Sequence, residues 1–398
     1  MSLSRRHLLR SALSTAMLSA TCQLGWAGAG KPGGPRLAVL LLRGGMDGLA
    51  AVPMPGDPAY AEARGALANL GAEPLPLHGG FALHPALVQT HAMYGQGELL
   101  VVHATGLPYR ERSHFDAQQV LESGGSRPYE LTSGWLARAL KVTSHKGIAL
   151  QTAVPLLLRG HGDIDTWAPG TLAEPSSDLL TRLDSLYAGD PALAAALNRA
   201  RALRQEGAMP QGMDRTGGPR AAVVSLARQA ADFLARSDGP QVAVLEMGGW
   251  DSHANQTAPQ GPLGNNLRQL DAALAALREG LTAATAAGTW SRTVVLVVTE
   301  FGREVAMNGT QGTDHGTGGA ALVLGGAVHG GRVIADWPGL APRQRHEGRD
   351  LRITTDLRAV FKGVLQSHLA VPRAGIERDV LPDSSAVKPL SLLRDASA

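Results

Sequence analysis

Cysteine is nearly missing. Cys22 is the only one in 398 residues, and it lies in the amino-terminal leader, so no disulfide can brace the mature chain even in an oxidising compartment. A net charge is missing too. Of the 37 basic residues, Arg5, Arg6 and Arg10 belong to the leader, and the 34 that remain equal the 34 acidic ones. That balance leaves no electrostatic footprint for nucleic acid. Several familiar catalytic patterns are absent as well: no GxSxG elbow, no HExxH, no Walker loop and no GxGxxG. Their absence removes the commonest serine hydrolase, zincin and nucleotide-binding readings. There is no internal repeat, and after the leader no apolar run long enough to span a membrane.

The leader has a basic start, a moderately apolar middle and small residues at Ala27 to Ala29, as a secretory signal does. Ser4-Arg5-Arg6-His7-Leu8-Leu9 resembles a twin-arginine export signal. The expected organisation is therefore a signal peptide over 1–29 and one α/β domain over 30–398. The implied location is periplasmic or secreted, with the twin-arginine export machinery as a partner. A hydrophobic share of 44% with 18% charged residues is an ordinary globular balance, and 49 glycines point to many tight loops.

Hydrophobic periodicity sets the elements. Arg36 to Leu42, Leu99 to Ala104, Gln241 to Met247 and Thr293 to Val298 read as strands buried on both faces, the kind found in parallel sheets. A further apolar run covers Ala320 to Leu324, and Arg332 to Ile334 suggests a hairpin-like return. Helices are expected over Pro85 to Tyr94, Ser133 to Lys141, the Ala-rich stretches from Asp178 to Arg236, Gly264 to Ala287 and Asp356 to Leu369, the last capped by Thr354 or Thr355. The middle part is expected to cover the sheet, with a glycine-rich loop over Gly207 to Gly218.

Each of the four strands is followed within a few residues by polar chemistry: Asp47, then Ser113, then Asp251 with His253, then Glu300 with Asp314 and His315. In parallel α/β sheets such residues share the carboxyl edge, where ligands bind. Carboxylates and imidazoles without thiolates suit a hard or borderline divalent ion such as Zn, Mn or Mg. One or two such ions could activate the Ser113 hydroxyl and hold a phosphoryl or sulfuryl group. Arg303 and Arg112 are candidates to steady the anion.

Each residue also has a structural reading. Asp47 fits a turn, Ser113 a helix cap, Arg303 an ion partner of Glu300, and Arg43 and Arg112 surface charges. His84, His103 and His114 read as hydrogen-bonded structural histidines. Glu300 is harder to dismiss, since a charge at the end of an apolar strand costs free energy unless paired.

LRGGMDGL (42–49), RSHFDAQ (112–118), GGWDSH (248–253), TEFGR (299–303), NGTQGTDHG (308–316), DWPGL (336–340) and TTDLR (354–358) together resemble the exported family called domain of unknown function 1501. More distantly, the sequence is similar to the alkaline phosphatase and sulfatase superfamily. That resemblance implies a mostly parallel central sheet between helices and two metals at its carboxyl edge. It also implies Asp47 as first ligand of one metal, Ser113 as nucleophile and Asp251 with His253 at the other metal.

The phosphopentomutase-like members carry a strand ending in Asp-His and then GTDHT. Here GTDHG supplies His315, and Glu300-Phe301 stands where the Asp-His pair would be. Phe301 cannot ligate, and the histidine that His253 would represent usually stands four residues after the aspartate in that superfamily, where this sequence has Asn255. A register with Asp314-His315 as the pair stays open. The expectation is an exported metal-dependent hydrolase of small anionic esters; the alternative is a non-catalytic exported protein whose degenerate site binds metal or ligand.

Overall fold

The computed structural model describes residues 33–160, 163–169, 175–206, 219–257, 261–286 and 288–394. The leader with Cys22 and the glycine loop over 207–218 lie outside them.

Eleven strands are described: β1 Arg36–Leu42, β2 Leu75–Pro76, β3 Ala82–Leu83, β4 Leu99–Gly106, β5 Gly147–Ala149, β6 Ile164–Thr166, β7 Val242–Met247, β8 Thr293–Thr299, β9 Gly319–Leu324, β10 Arg332–Ile334 and β11 Thr355–Asp356. Nine of them form one sheet in the order β10-β4-β9-β8-β1-β7-β5-β6, with β11 beside β4. β2 and β3 pair separately. β1 runs parallel to both β7 and β8, as the apolar runs imply. Only β9 opposes its neighbours in this sheet, β4 and β8.

The reason is the connection. β8 reaches β9 through residues 300–318 without a crossover helix, and only an antiparallel neighbour can be reached that way. The end of β8 and the start of β9 therefore lie at one edge. The loop carrying Arg303, Asp314 and His315 hangs over it.

Alternation along β1 sends Ala38, Leu40 and Leu42 to one face and Leu37, Val39 and Leu41 to the other. The first face is covered by helices Val88–Gly95, Pro219–Ala235 and Pro262–Thr282, the second by His114–Ser123, Trp135–Thr143 and Leu357–Ser367. Each Leu or Val buried there adds about 1.5–3 kcal/mol over an exposed one. The fold is thus α/β, a mostly parallel central sheet sandwiched between helices. Among the described residues no helix is long and apolar enough to cross a membrane.

Four expectations change, the first being that β10 is no hairpin return on β9: it lies on the far side of β4 and pairs parallel with it. Helix Ser177–Tyr187 buries none of its residues, so part of the middle segment stands off the sheet. β5 and β6 extend the sheet with three residues each, too short to show a period. The closing helix is capped by the Asp356 carboxylate, which accepts from Arg358 N, not by Thr354 or Thr355.

Candidate metal centre

Three imidazoles meet beyond the carboxyl ends of β4, β7 and β8, and each is held from behind. His114 opens helix His114–Ser123, and its Nδ1 lies 2.8 Å from Glu300 Oε1. His315 sends Nδ1 to the Arg112 carbonyl at 2.9 Å. His253 sends Nδ1 to Asp314 Oδ1 at 3.1 Å. Carboxylates and carbonyls only accept, so in each neutral ring Nδ1 carries the hydrogen and Nε2 carries a lone pair.

Those lone pairs converge. His315 Nε2 lies 3.0 Å from His114 Nε2, 3.1 Å from His253 Nε2 and 3.2 Å from Asp251 Oδ1. Asp251 closes the set, with Oδ1 at 2.9 Å from His253 Nε2 and Oδ2 at 3.4 Å from His114 Nε2. His114, Asp251 and His315 offer ligand atoms that all lie within 4.8 Å of one another.

The loops reach this spacing because glycine lets them. A Cβ on Gly316 would sit 2.4 Å from the Arg303 carbonyl carbon. Gly44 has φ +120°, and a Cβ there would lie 2.6 Å from Asp251 N.

Supporting groups fix the ring planes. Phe301 is buried beneath the cluster, its ring 4.6 Å from that of His114 and 5.1 Å from that of His315. Glu300 is buried and also accepts from Gly44 N at 2.8 Å and Gln118 Nε2 at 3.1 Å. Arg303, also buried, gives Nη1 to Asp251 Oδ1 at 2.6 Å and Nε to Thr313 Oγ1 at 3.1 Å, and bonds the Thr313 carbonyl.

The titrating groups follow these contacts. Burial opposes ionisation of Glu300, but bonds from His114, Gln118 and the backbone carry its pKa below the usual range. The Glu300 bond in turn raises His114, while burial lowers His315. Burial likewise opposes the charge on Asp251, and the Arg303 guanidinium outweighs it, so Asp251 stays ionised. Asp314 is lowered chiefly by the Asn308 amide.

The structure gathers Asp251, His253 and His315 and reassigns the rest. Glu300 and Asp314 stand behind His114 and His253 instead of facing the cluster. Asp47 is buried elsewhere, with Arg64 Nη2 at 2.5 Å and Gln256 Nε2 at 2.6 Å on Oδ2 and two backbone amides on Oδ1.

Arg303 pairs with Asp251, not Glu300, and is shut off from solvent, so it positions a carboxylate and cannot meet an anion. Arg112 turns its guanidinium to Glu347 at 2.5 Å and Asp350 at 2.9 Å. What Arg112 gives the cluster is its carbonyl. Arg43 is likewise held, by Glu122 and Glu246. Ser113 is the half-buried N-cap of its helix, and its hydroxyl makes no capping bond.

His84 and His103 are hydrogen-bonded to backbone, as expected. His114 is not one of that kind. The signal that could have revealed it was Ser113 itself: the residue after a cap opens a helix at a strand's carboxyl edge.

The fold and site define an α/β protein with a candidate His/Asp metal centre at the carboxyl edge of its sheet. Residues 93–377 match the family described as "Protein of unknown function (DUF1501)", and the chain belongs to it. No curated protein matches the sequence. Similar solved structures include the PsFucS1 sulfatase from Pseudoalteromonas sp., at 14% identity and TM-score 0.43 over 99% of this chain and 77% of that one. Another is the phosphonate monoester hydrolase of Agrobacterium radiobacter, at 12% identity and TM-score 0.42 over 85% and 74%. A third is a protein in the alkaline phosphatase superfamily from Vibrio parahaemolyticus, at 13% identity and TM-score 0.39 over 79% and 65%.

Proposed function

We propose that this protein is a metal-dependent hydrolase of small phosphate or sulfate esters, its ion held by His114, Asp251 and His315 with His253 at the rim. One observation carries the reading: three imidazoles, each oriented by an acceptor behind it, turn their Nε2 atoms toward one carboxylate. The donor set fits the group. Ligand atoms about 2.0–2.1 Å from a tetrahedral zinc ion stand about 3.3 Å apart, and the contacts here run from 2.9 to 3.4 Å. Two imidazole Nε2 atoms 3.0 Å apart need a proton or a cation between them.

When bound, the ion supplies positive charge that lowers the pKa of an oxygen nucleophile and steadies a developing oxyanion. The chain's own residues do the remainder. Glu300, the Arg112 carbonyl and Asp314 fix the ring tautomers, Arg303 keeps Asp251 ionised and aimed, and Phe301 excludes water from the inner side. Ser113 offers its hydroxyl at the amino end of helix His114–Ser123, where aligned amides favour an anionic oxygen.

A second reading has its own support. Neither Arg112 nor Arg303 is free for an anion, and no hydrogen bond joins Ser113 to an imidazole among the described residues. That pattern suits a non-catalytic centre that binds metal or a ligand. Turnover of aryl phosphate and aryl sulfate by the metal-loaded chain, with and without Ser113→Ala, separates the two. Loss of turnover in the variant supports the hydrolase; equal rates remove Ser113 as nucleophile, and no turnover of either ester leaves the binding role. Export by the twin-arginine route belongs to the same proposal, resting on Arg5 and Arg6. Replacing both with lysine should hold the folded chain inside the cell.

A further inference from the structure

Asp47 and Asp251 follow neighbouring strands, β1 and β7, and both are ionisable groups at the ligand edge. They are treated very differently. Asp47 is 1% exposed and receives four donors, two on each oxygen: Leu49 N at 3.0 Å and Ala50 N at 3.2 Å, Arg64 Nη2 at 2.5 Å and Gln256 Nε2 at 2.6 Å. A carboxylate has about four lone-pair sites, so none is left for an ion. Asp251 keeps 42% of its side chain exposed and directs Oδ2 toward His114.

Arg64 is fully buried, and its Nη1 also bonds the carbonyls of Val305 at 2.9 Å and Glu304 at 3.4 Å. A guanidinium does not release its proton, so the cation paired with Asp47 is permanent. Removing it would strand a buried carboxylate without a counter-charge, which is strongly destabilising. His103 and His84, which feel the charge of Asp47, are held by backbone groups as well. His103 has both ring nitrogens on backbone groups of Val52 and Ala104, and His84 Nδ1 accepts from Ala86 N.

We infer that the centre takes a single divalent ion, and that Arg64 is the fixed cation that stands on Asp47 in place of a second. This rests on the metal reading above. The two carboxylates remain mechanically joined. Gln256 Oε1 accepts from Ser252 Oγ at 2.9 Å and Thr313 Oγ1 at 2.8 Å, Thr313 Oγ1 accepts from Arg303 Nε at 3.1 Å, and Arg303 holds Asp251 at 2.6 Å. One buried chain with an arginine at each end therefore ties the closed carboxylate to the open one.

The test is a count. The purified full chain is equilibrated with excess Zn, excess free metal is removed by dialysis, and bound ions per chain are read by elemental analysis and native mass spectrometry. One ion per chain is expected, still one in Asp47→Asn, and at least tenfold weaker retention in Asp251→Asn and His315→Ala. Two ions in the wild type, one of them lost in Asp47→Asn, would overturn the inference and leave the metal centre standing. No ion in the wild type would overturn the metal reading and this inference together. The wild-type count needs no variant, so misfolding of any substituted chain leaves the test decisive.

Discussion

Glu300 Oε1 lies 2.8 Å from Nδ1 of His114. The carboxylate sits at the end of β8 and the imidazole at the start of a helix that follows β4, so the pair joins two strands that are separated in the sheet by β9. It also fixes which nitrogen of His114 is free. Removing the negative charge behind a ligating imidazole lowers its basicity, typically by 10–100-fold in metal affinity. Glu300→Gln should therefore weaken Zn retention by about that factor in chelator competition. Unchanged affinity would show that Glu300 serves only the fold.

Phe301 touches both His114 and His315 from below. Phe301→Ala should cost about 3–5 kcal/mol in urea unfolding, through lost burial and a cavity. Phe301→Leu should recover most of that stability but leave the rings less fixed, with weaker metal retention. If Phe301→Leu retains metal as the wild type does, the aromatic wall has no orienting role.

Gln256 is the middle of the buried chain and 2% exposed. Gln256→Leu strips a donor from Asp47 and an acceptor from Ser252 and Thr313, at about 1–3 kcal/mol for each group left unsatisfied. Gln256→Glu should be worse, because it sets a second carboxylate against Asp47, 2.6 Å away. Equal urea midpoints for the two variants would count against the chain as drawn.

Away from the centre, burial pushes His103 and His368 down to about 4, with backbone contacts to Val52 and Arg36 offsetting part of it. Each is neutral in the native state, whereas an unfolded histidine titrates near 6.5. Between those values the unfolded chain binds more protons, so stability is complete above pH 6.5 and falls as pH drops toward 4. Each histidine should contribute a slope of up to about 1.4 kcal/mol per pH unit. His368→Gln, whose amide can still donate to the Arg36 carbonyl, should flatten the dependence of the urea midpoint between pH 7 and 5. A slope unchanged by the substitution would remove His368 from this account.

Much of the sheet was legible because its strands are continuous apolar runs, and a segment buried on both faces is central, as antiparallel β9 also is. The carboxyl-edge residues after them could be named for the same reason. What failed was the distinction between groups that face the cluster and groups that hold others in place. Asp47 and Glu300 look alike in sequence, each an acid just past a buried strand, yet Arg64, Gln256 and two backbone amides fill one and His114 pairs with the other.

The sequence by itself determined the α/β class, the sharing of one edge by Asp47, Ser113, Asp251 and Glu300, and the lack of thiolate ligands. Hydrophobic period and residue type are local properties, and those features depend on nothing else. Only the tertiary structure decided that His114 joins Asp251 and His315, that Arg303 and Arg112 are occupied, and that Asp47 is closed. Each of these depends on a contact between residues far apart in the chain, such as Arg64 with Asp47, 17 residues away, or His114 with His315, 201 residues away. Such contacts are set by how strands and loops pack, and neither partner's neighbours in the chain encode them.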